Sequence, residues 1–407
     1  MSGSSQAGLS TQLVHHPYQA PATFRSPQPG VFKASTVFFD NVAAMRSTEW
    51  KDKSGYTYGL HGTPTTYQLE ERLCTLEGGQ QCLLVPSGLA AIATVAMALL
   101  KTGDEVLMPD NAYGPAKVFA AGELASWGIS HRFFDPMDMS DLRAKISART
   151  ALVWLEAPGS VTLEFPDLLA QVGLCRERGV LCALDNTWGA GIAMRPFDLD
   201  PSSGRRLAVD VSIQALTKYP SGGGDVLMGS IITTDPALGR RIKLTHMRLG
   251  LAVGANDAEA VLRSLPSILL RYQAHDVAAR ELAGWCESQV PIAQVLHPAL
   301  PGSPGHAHWL RTCQHGPGGA AGLFSVVFGA AYGTAQVDAF CDALVLFKLG
   351  YSWGGPVSLV VPYDLTTMRM AWPAGIVRGT VVRFSVGFEA VADLRADLAQ
   401  ALQVMLD

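Results

Sequence analysis

Between residues 81 and 188 the chain repeats one pattern four times: a short, mostly apolar run, a polar or turn-forming cluster, and then further chain. The runs are Gln81–Val85, Glu105–Met108, Ala151–Leu155 and Val180–Leu184. The clusters after them are Pro86-Ser87-Gly88, Asp110-Asn111-Ala112-Tyr113-Gly114, Glu156-Ala157-Pro158-Gly159-Ser160 and Asp185-Asn186-Thr187-Trp188. Continuous apolar runs suit strands covered on both faces, and strands alternating with helices predict a mostly parallel sheet between helical layers. Ligands of such sheets gather outside the carboxyl ends of the strands. That rule selects the residues to read for chemistry, namely those just past each run.

A further strand is predicted where Val209, Val211, Ile213 and Ala215 alternate. It leads to Thr217-Lys218, and Gly222-Gly223-Gly224 then breaks regularity. Burial disfavours a lysine's charge, so a lysine at a buried strand exit needs a partner or a use. One use is a Schiff base with pyridoxal phosphate; the plainer alternative is a side chain snorkelling to solvent. Ser87 and the amides of Gly88 and Leu89 open a helix, where free N–H groups suit a phosphate, or Ser87 is simply a cap. The pattern is neither GxGxxG nor a Walker sequence. Asp185 closes an all-apolar strand and needs a cation, which a pyridinium nitrogen or a structural ion pair would supply. Tyr113 could stack on a ring or be an ordinary loop aromatic. Arg383 sits inside Val381–Val386, where it either captures a carboxylate or faces outward on an alternating strand. Tyr351-Ser352-Trp353-Gly354-Gly355 could wall a pocket.

Composition narrows the classes. The 407 residues, 48% hydrophobic and 16% charged, suffice for a large core and two or three domains. A net charge of -4 without a basic block argues against nucleic acid as partner. Seven scattered cysteines, none in a CxxC pair, read as reduced core residues. His15, His16, His306, His308 and His315 have no ligand spacing, so no metal is expected. The apolar run Leu83–Leu100 is interrupted by Pro86-Ser87-Gly88 and divides into strand, turn and buried helix rather than a membrane span. No signal pattern is visible in Met1–Ser10, and the expected location is the cytoplasm.

Residues 1–60 are predicted to form an arm, extended around Pro17, Pro21, Pro27 and Pro29, that packs on another subunit through Val31, Phe32, Val37, Phe38 and Phe39. A helix is expected from Thr65 with Thr66 as cap, carrying Leu69, Leu73 and Leu76 and stopping at Gly78-Gly79. Residues 61–255 form the α/β domain. Residues 256–407 form a smaller α+β domain, with helices over Ala258–Leu270, Val277–Cys286, Val337–Leu346 and Val391–Met405 and strands over Gly322–Phe328 and Thr380–Val386.

These motifs together resemble the Cys/Met-metabolism pyridoxal-phosphate enzymes of the aspartate-aminotransferase-like fold (fold type I), from about Lys33 to Leu402. The matching stretches are Tyr58-Gly-Leu-His-Gly-Thr-Pro-Thr65, Ser87–Ala91, Asp110–Gly114, Leu155–Ser160, Asp185–Trp188, Gln214–Tyr219, His297–Ser303 and Tyr351–Gly355. Within the family they sit closest to the cystathionine β-lyases. The resemblance implies an α/β fold with a mostly parallel seven-stranded sheet and pyridoxal 5'-phosphate as cofactor. It implies that Lys218 forms the Schiff base and that Asp185 pairs with the pyridine nitrogen. Tyr113 would stack on the ring, and Ser87, Gly88, Leu89 and Thr217 would hold the phosphate, with Tyr58 reaching it from a neighbouring subunit. Ser352, Trp353 and Arg383 would receive the substrate carboxylate. A homotetramer of two dimers is implied, acting on an amino-acid thioether.

Three positions depart from the family pattern. Leu60 stands where an arginine usually meets the phosphate across the dimer, with His61 beside it as a substitute; Ala215 replaces a serine common in γ-acting relatives; Gly223-Gly224 replaces His-Ser. The expected activity is β-elimination of cystathionine to homocysteine, pyruvate and ammonia, for which Gln214-Ala215 and Trp188 speak. The alternatives are a γ-acting relative, told apart by its keto acid, and a protein that binds the cofactor without turnover.

Overall fold

The computed structural model describes residues 26–204, 206–313, 316 and 318–406. The expectations at Pro17, Pro21, His15, His16, His315 and Met1–Ser10 lie outside the described residues. The chain divides into two units, Met1–Gly30 and Val31–Asp407, and every helix and strand among the described residues belongs to the second.

Thr36 and Tyr58 form an isolated antiparallel bridge, and helix α1, Val42–Ser47, lies between them under an Asn41 cap. This short helix departs from the predicted extended arm, because Asn41 accepts the Ala44 N–H and so starts a turn locally. The next helix, α2, spans Pro64–Glu77. Its cap is Thr63 rather than Thr66: the two hydroxyls satisfy each other's backbone N–H reciprocally, and Pro64 takes the first helical position, where no N–H is needed. Gly78 ends it in the left-handed region at φ 80°.

Seven strands then build one sheet. They are β1 (Gln81–Val85), β2 (Glu105–Pro109), β3 (Ser130–Phe134), β4 (Thr150–Glu156), β5 (Leu181–Asp185), β6 (Val211–Ala215) and β7 (Gly229–Thr233). Their spatial order is β1-β7-β6-β5-β4-β2-β3. The ladders among β3, β2, β4, β5 and β6 are parallel, and β7 runs against both neighbours. The sheet is therefore mostly parallel, as expected. Helices α3 (Gly88–Leu99), α4 (Gly114–Phe119), α5 (Met139–Lys145), α6 (Leu168–Arg178) and α7 (Pro236–Leu249) accompany it. Alternate residues of one strand enter different cores. Leu83 and Val85 pack with α3 residues, whereas Cys82 and Leu84 pack with Leu69 and Leu73 of α2. Burial on both faces is why these strands read as continuous apolar runs.

Beyond α7 lie α8 (Ala255–Ser264), α9 (Ile268–Cys286), β8 (Ile292–Leu296), α10 (His306–Thr312), β9 (Leu323–Gly329), α11 (Thr334–Ala343), β10 (Lys348–Leu349), β11 (Leu359–Tyr363), β12 (Gly379–Ser385) and α12 (Val391–Leu406). The helix break falls at Leu265–Ser267, where Pro266 removes an N–H, and not over residues 271–276 as the sequence suggested. The second sheet has the order β10-β11-β12-β9-β8 and is antiparallel except at β10–β11. Phe324, Val326 and Phe328 of β9 with Val382 and Phe384 of β12 pack with residues of α9, α11 and α12. The alternate residues Val327 and Val381 meet Val161 of the first half, and Ser325 Oγ donates to the Val161 carbonyl at 2.6 Å. All seven cysteines are buried and unbridged. No helix among the described residues is long and apolar enough to cross a membrane.

Candidate active site

Five strand ends converge. Along the sheet edge β1 delivers Ser87, β6 delivers Thr217 and Lys218, β5 ends on Asp185, β4 on Glu156, and β2 leads to Tyr113. Because β7 opposes its neighbours, its first residue, Gly229, lies between Val85 and Ala215 at this same edge. A Cβ on Gly229 would come within 2.4 Å of the Ser87 carbonyl oxygen, and one on Gly88 within 2.7 Å of the Ala215 Cβ. Only glycine lets the β1 turn close down on β6 at these two points.

Ser87 caps α3, its Oγ accepting the Ala90 N–H at 3.0 Å. Gly88 and Leu89 follow as the first helical residues, with free N–H groups in the first turn. Thr217 Oγ1 lies 3.3 Å from the Met228 nitrogen, from which it accepts. A hydroxyl pair and a helix start on neighbouring elements form a cradle for an anion.

Lys218 is largely shielded. Its Nζ donates to Ser352 Oγ at 2.7 Å and lies 5.4 Å from the centre of the Trp353 ring. Burial, and then the Arg383 charge, push its amine down to about 8, while Asp185 pulls the other way. Ser352 holds φ at 101°, an unfavourable backbone for a residue with a Cβ, at the point where it meets the lysine. Asp185 is buried, and burial raises its carboxyl above the usual range against the hydrogen bonds that Oδ1 accepts from Thr187 N (3.0 Å) and Oγ1 (2.5 Å). Lys218 lies in the turn after β6, Asp185 ends the parallel neighbour β5, and each feels the other's charge. Amine and acid are therefore near enough to interact at one edge of the sheet.

Arg383 is 8% exposed, so the outward-facing alternative is excluded. Its guanidinium lies 5.3 Å from the Tyr363 ring centre. Burial lowers its pKa, and the groups that oppose this are Tyr363 and Tyr113, neither of them a carboxylate. Tyr113 is partly exposed; burial and then the Asp185 and Glu156 carboxylates raise its phenol, and Arg383 lowers it. Tyr58 is 46% exposed and neighbours His61 edge-on at 6.2 Å. Leu60 and His61 form a short helical turn in which His61 stacks on Trp50 at 4.1 Å, and its Nδ1 lies 2.7 Å from Thr57 Oγ1. Trp188 is buried beside Phe165, and Gln214 turns away from Ala215 to hydrogen-bond Glu77. Among the described residues no three His, Cys, Asp or Glu side chains gather as a metal site.

Sequence reasoning passed over Glu156. Its Oε2 accepts the Tyr113 N–H at 2.8 Å, and in the ladder it sits opposite Asp185. The signal was present, because a carboxylate closing an apolar strand is the argument applied to Asp185. Tyr363 was missed because no periodicity marks β11 apart from its neighbours.

The set fits pyridoxal phosphate on its own terms. It offers a desolvated amine, a buried acid that lacks a full counter-charge, an anion cradle closed by glycines, and a buried guanidinium that no carboxylate among the described residues neutralises. A family model for Cys/Met metabolism PLP-dependent enzymes matches residues 10–403. The cystathionine beta-lyase of Bordetella avium is 36% identical over 99% of both chains. That of Salmonella typhimurium is 34% identical over 96% of this chain and 97% of its own. An L-alanine/L-glutamate racemase of Wolbachia pipientis wMel is 32% identical over 93% of this chain and 92% of its own. Among solved structures, cystathionine gamma synthase from Xanthomonas oryzae pv. oryzae in complex with cystathionine superposes with a TM-score of 0.84, at 27% identity over 95% of each chain.

Proposed function

The chain belongs to the Cys/Met metabolism PLP-dependent enzymes, and on that premise we propose that it is a cytoplasmic carbon–sulfur β-lyase that cleaves L-cystathionine. The observation that carries the proposal is the Lys218 amine, lowered to about 8 and held by Ser352 between the Asp185 and Arg383 charges. Pyridoxal phosphate, when bound, supplies the electron sink that makes an amino acid's α-proton removable. Lys218 would anchor it, Asp185 would hold the proton on its ring nitrogen, and Tyr113 would lie on its face. Ser87, Gly88, Leu89 and Thr217 would hold its phosphate.

Arg383 binds the substrate α-carboxylate with Ser352 and Trp353 beside it, which supplies the cation–anion pairing its burial demands. That anchor sets the orientation of the α C–H bond. Lys218 Nζ accepts the α-proton, a task for which an amine near the working pH is suited. Electrons from that bond form a Cα–Cβ double bond, and the C–S bond breaks toward homocysteine thiolate. Water then completes the conversion of the remaining three carbons to pyruvate and ammonia. Tyr58 completes the phosphate cradle of a neighbouring copy in a homotetramer of two dimers, which gives its exposure on its own subunit a use.

Incubation of the holoenzyme with L-cystathionine, followed by keto-acid identification, tests the reaction. Pyruvate is expected, and 2-oxobutyrate would replace the β-lyase reading with a γ-acting one. Lys218→Ala is expected to abolish turnover by at least about a thousandfold, since base and anchor are both lost. Undiminished pyruvate release would remove Lys218 from the mechanism.

A further inference from the structure

Glu156 is a shielded carboxylate to which the proposed mechanism gives no task. It closes β4 opposite Asp185 of β5, and register partners in a parallel ladder point to the same face. Its Oε2 accepts the backbone N–H of Tyr113 at 2.8 Å. Tyr113 stands immediately before α4 with no side-chain cap of its own, so this bond anchors the backbone that aims the phenol ring. We propose that Glu156 is a positioning residue that fixes Tyr113 over the cofactor ring through its backbone N–H and makes cofactor binding pH-dependent by sharing charge with Asp185. The proposal rests on the assignment of Tyr113 and Asp185 to the ring, and it is independent of which bond the enzyme breaks.

The charged and titratable groups facing Glu156 are Asp185 from β5, Tyr113 and Lys117 from the loop and helix after β2, and Glu164 from the segment after β4. Burial and then Asp185 push the Glu156 carboxyl well above its ordinary range. Asp185 itself faces Thr187 and Lys218, and its charge also bears on Tyr113 and on the buried Glu77 carboxyl from α2. Two adjacent buried acids ionise together only with enough positive charge beside them; Lys117 is already bound to Asp110 and burial pushes Lys218 toward its neutral form, so the pair keeps a proton until a further cation arrives. A protonated pyridine nitrogen is such a cation. Its arrival displaces the pair's proton, and affinity for pyridoxal phosphate therefore rises with pH across the pair's titration. Lys218 adds a pH dependence of its own, which every Glu156 variant retains.

Glu156→Gln keeps an acceptor for the Tyr113 N–H but removes the charge, and Glu156→Ala removes both. Apoprotein of each, with wild type and Asp185→Asn, is titrated with pyridoxal phosphate from pH 5.5 to 9, reading the dissociation constant from the cofactor's absorbance. In E156Q, Asp185 loses its negative neighbour and ionises more easily. The rise should move to lower pH by about one unit, with affinity at pH 8 within about threefold of wild type. E156A, which lacks the charge as well, should share the shifted rise and bind about tenfold more weakly than E156Q throughout. An E156Q profile superimposable on wild type would overturn the charge role, and wild-type affinity in E156A would overturn the anchoring role. Unchanged binding in D185N would remove the ring-nitrogen assignment, and this proposal with it.

Discussion

At the scale of single residues the site works by depriving charges of water and then offering each only part of a partner. Lys218 meets a neutral hydroxyl, Ser352, and an aromatic face, Trp353, and Arg383 adds a repelling charge. The lysine is left with a substantial neutral fraction at ordinary pH. The sign is direct: only the neutral amine attacks a carbonyl, and lowering the pKa moves that fraction toward neutrality. The rate of pyridoxal phosphate capture by apoprotein should therefore rise with pH and level off above about 8, against about 10.4 for an unperturbed lysine. A midpoint near 10 in a stopped-flow pH series would mean that the amine is solvated. Lys218, Asp185 and Arg383 stood out in the sequence because a charge inside an apolar run is an anomaly. Ser352 stood out as part of a possible pocket-walling loop, its individual role came only through the resemblance, and its 101° φ is invisible in the sequence.

At the scale of elements the close approach of β1, β7 and β6 matters most. Gly88 and Gly229 are the two places where a side chain would separate them. Gly88→Ala would bring a Cβ to 2.7 Å from that of Ala215. It should cost about 1–3 kcal/mol of stability in urea unfolding, and Ala215→Gly in the same chain should return part of that loss. If the double variant is no more stable than G88A, some other contact sets the spacing. The sequence showed β1, β2, β4 and β5 clearly as mostly apolar runs, and β6 by the alternation of Val211, Ile213 and Ala215. It hid β3, Ser-His-Arg-Phe-Phe, whose Arg132 reaches Glu105 on β2 with two hydrogen bonds. It hid β7 as well, because no helix separates it from β6 and its direction is reversed. The α2 cap fell one turn early because Thr63, Thr65 and Thr66 are equivalent as letters, and only the reciprocal hydrogen bonds distinguish them.

At the scale of the whole molecule the two sheets meet through charge as well as apolar surface. Arg369, from the segment after β11, reaches Asp110 at 3.1 Å and Glu164 at 2.8 Å, and Lys117 donates to both Asp110 and the Met368 carbonyl. These groups are largely shielded, so removing the arginine alone would strand Glu164 and leave Asp110 with Lys117 only. Arg369→Met should destabilise the protein by about 3–5 kcal/mol in chemical denaturation; a loss below about 1 kcal/mol would class the network as a solvated surface pair.

The sheet type, the strands β1, β2, β4, β5 and β6 and the choice of which strand ends to read for chemistry were determined by the sequence. Each depends on local pattern: burial on both faces needs continuous apolar runs, and a charge ending such a run has to be accounted for. The direction of β7, the burial of Arg383 and the Glu156–Tyr113 bond were decided only by the tertiary structure. The bond joins residues 43 apart in the chain. The direction of β7 comes with its insertion between β6 and the much earlier β1. Arg383 is buried because both faces of β12 are covered, the Val382 face by helices and its own by the first half around Val161, and a period of two cannot show that the second face is covered.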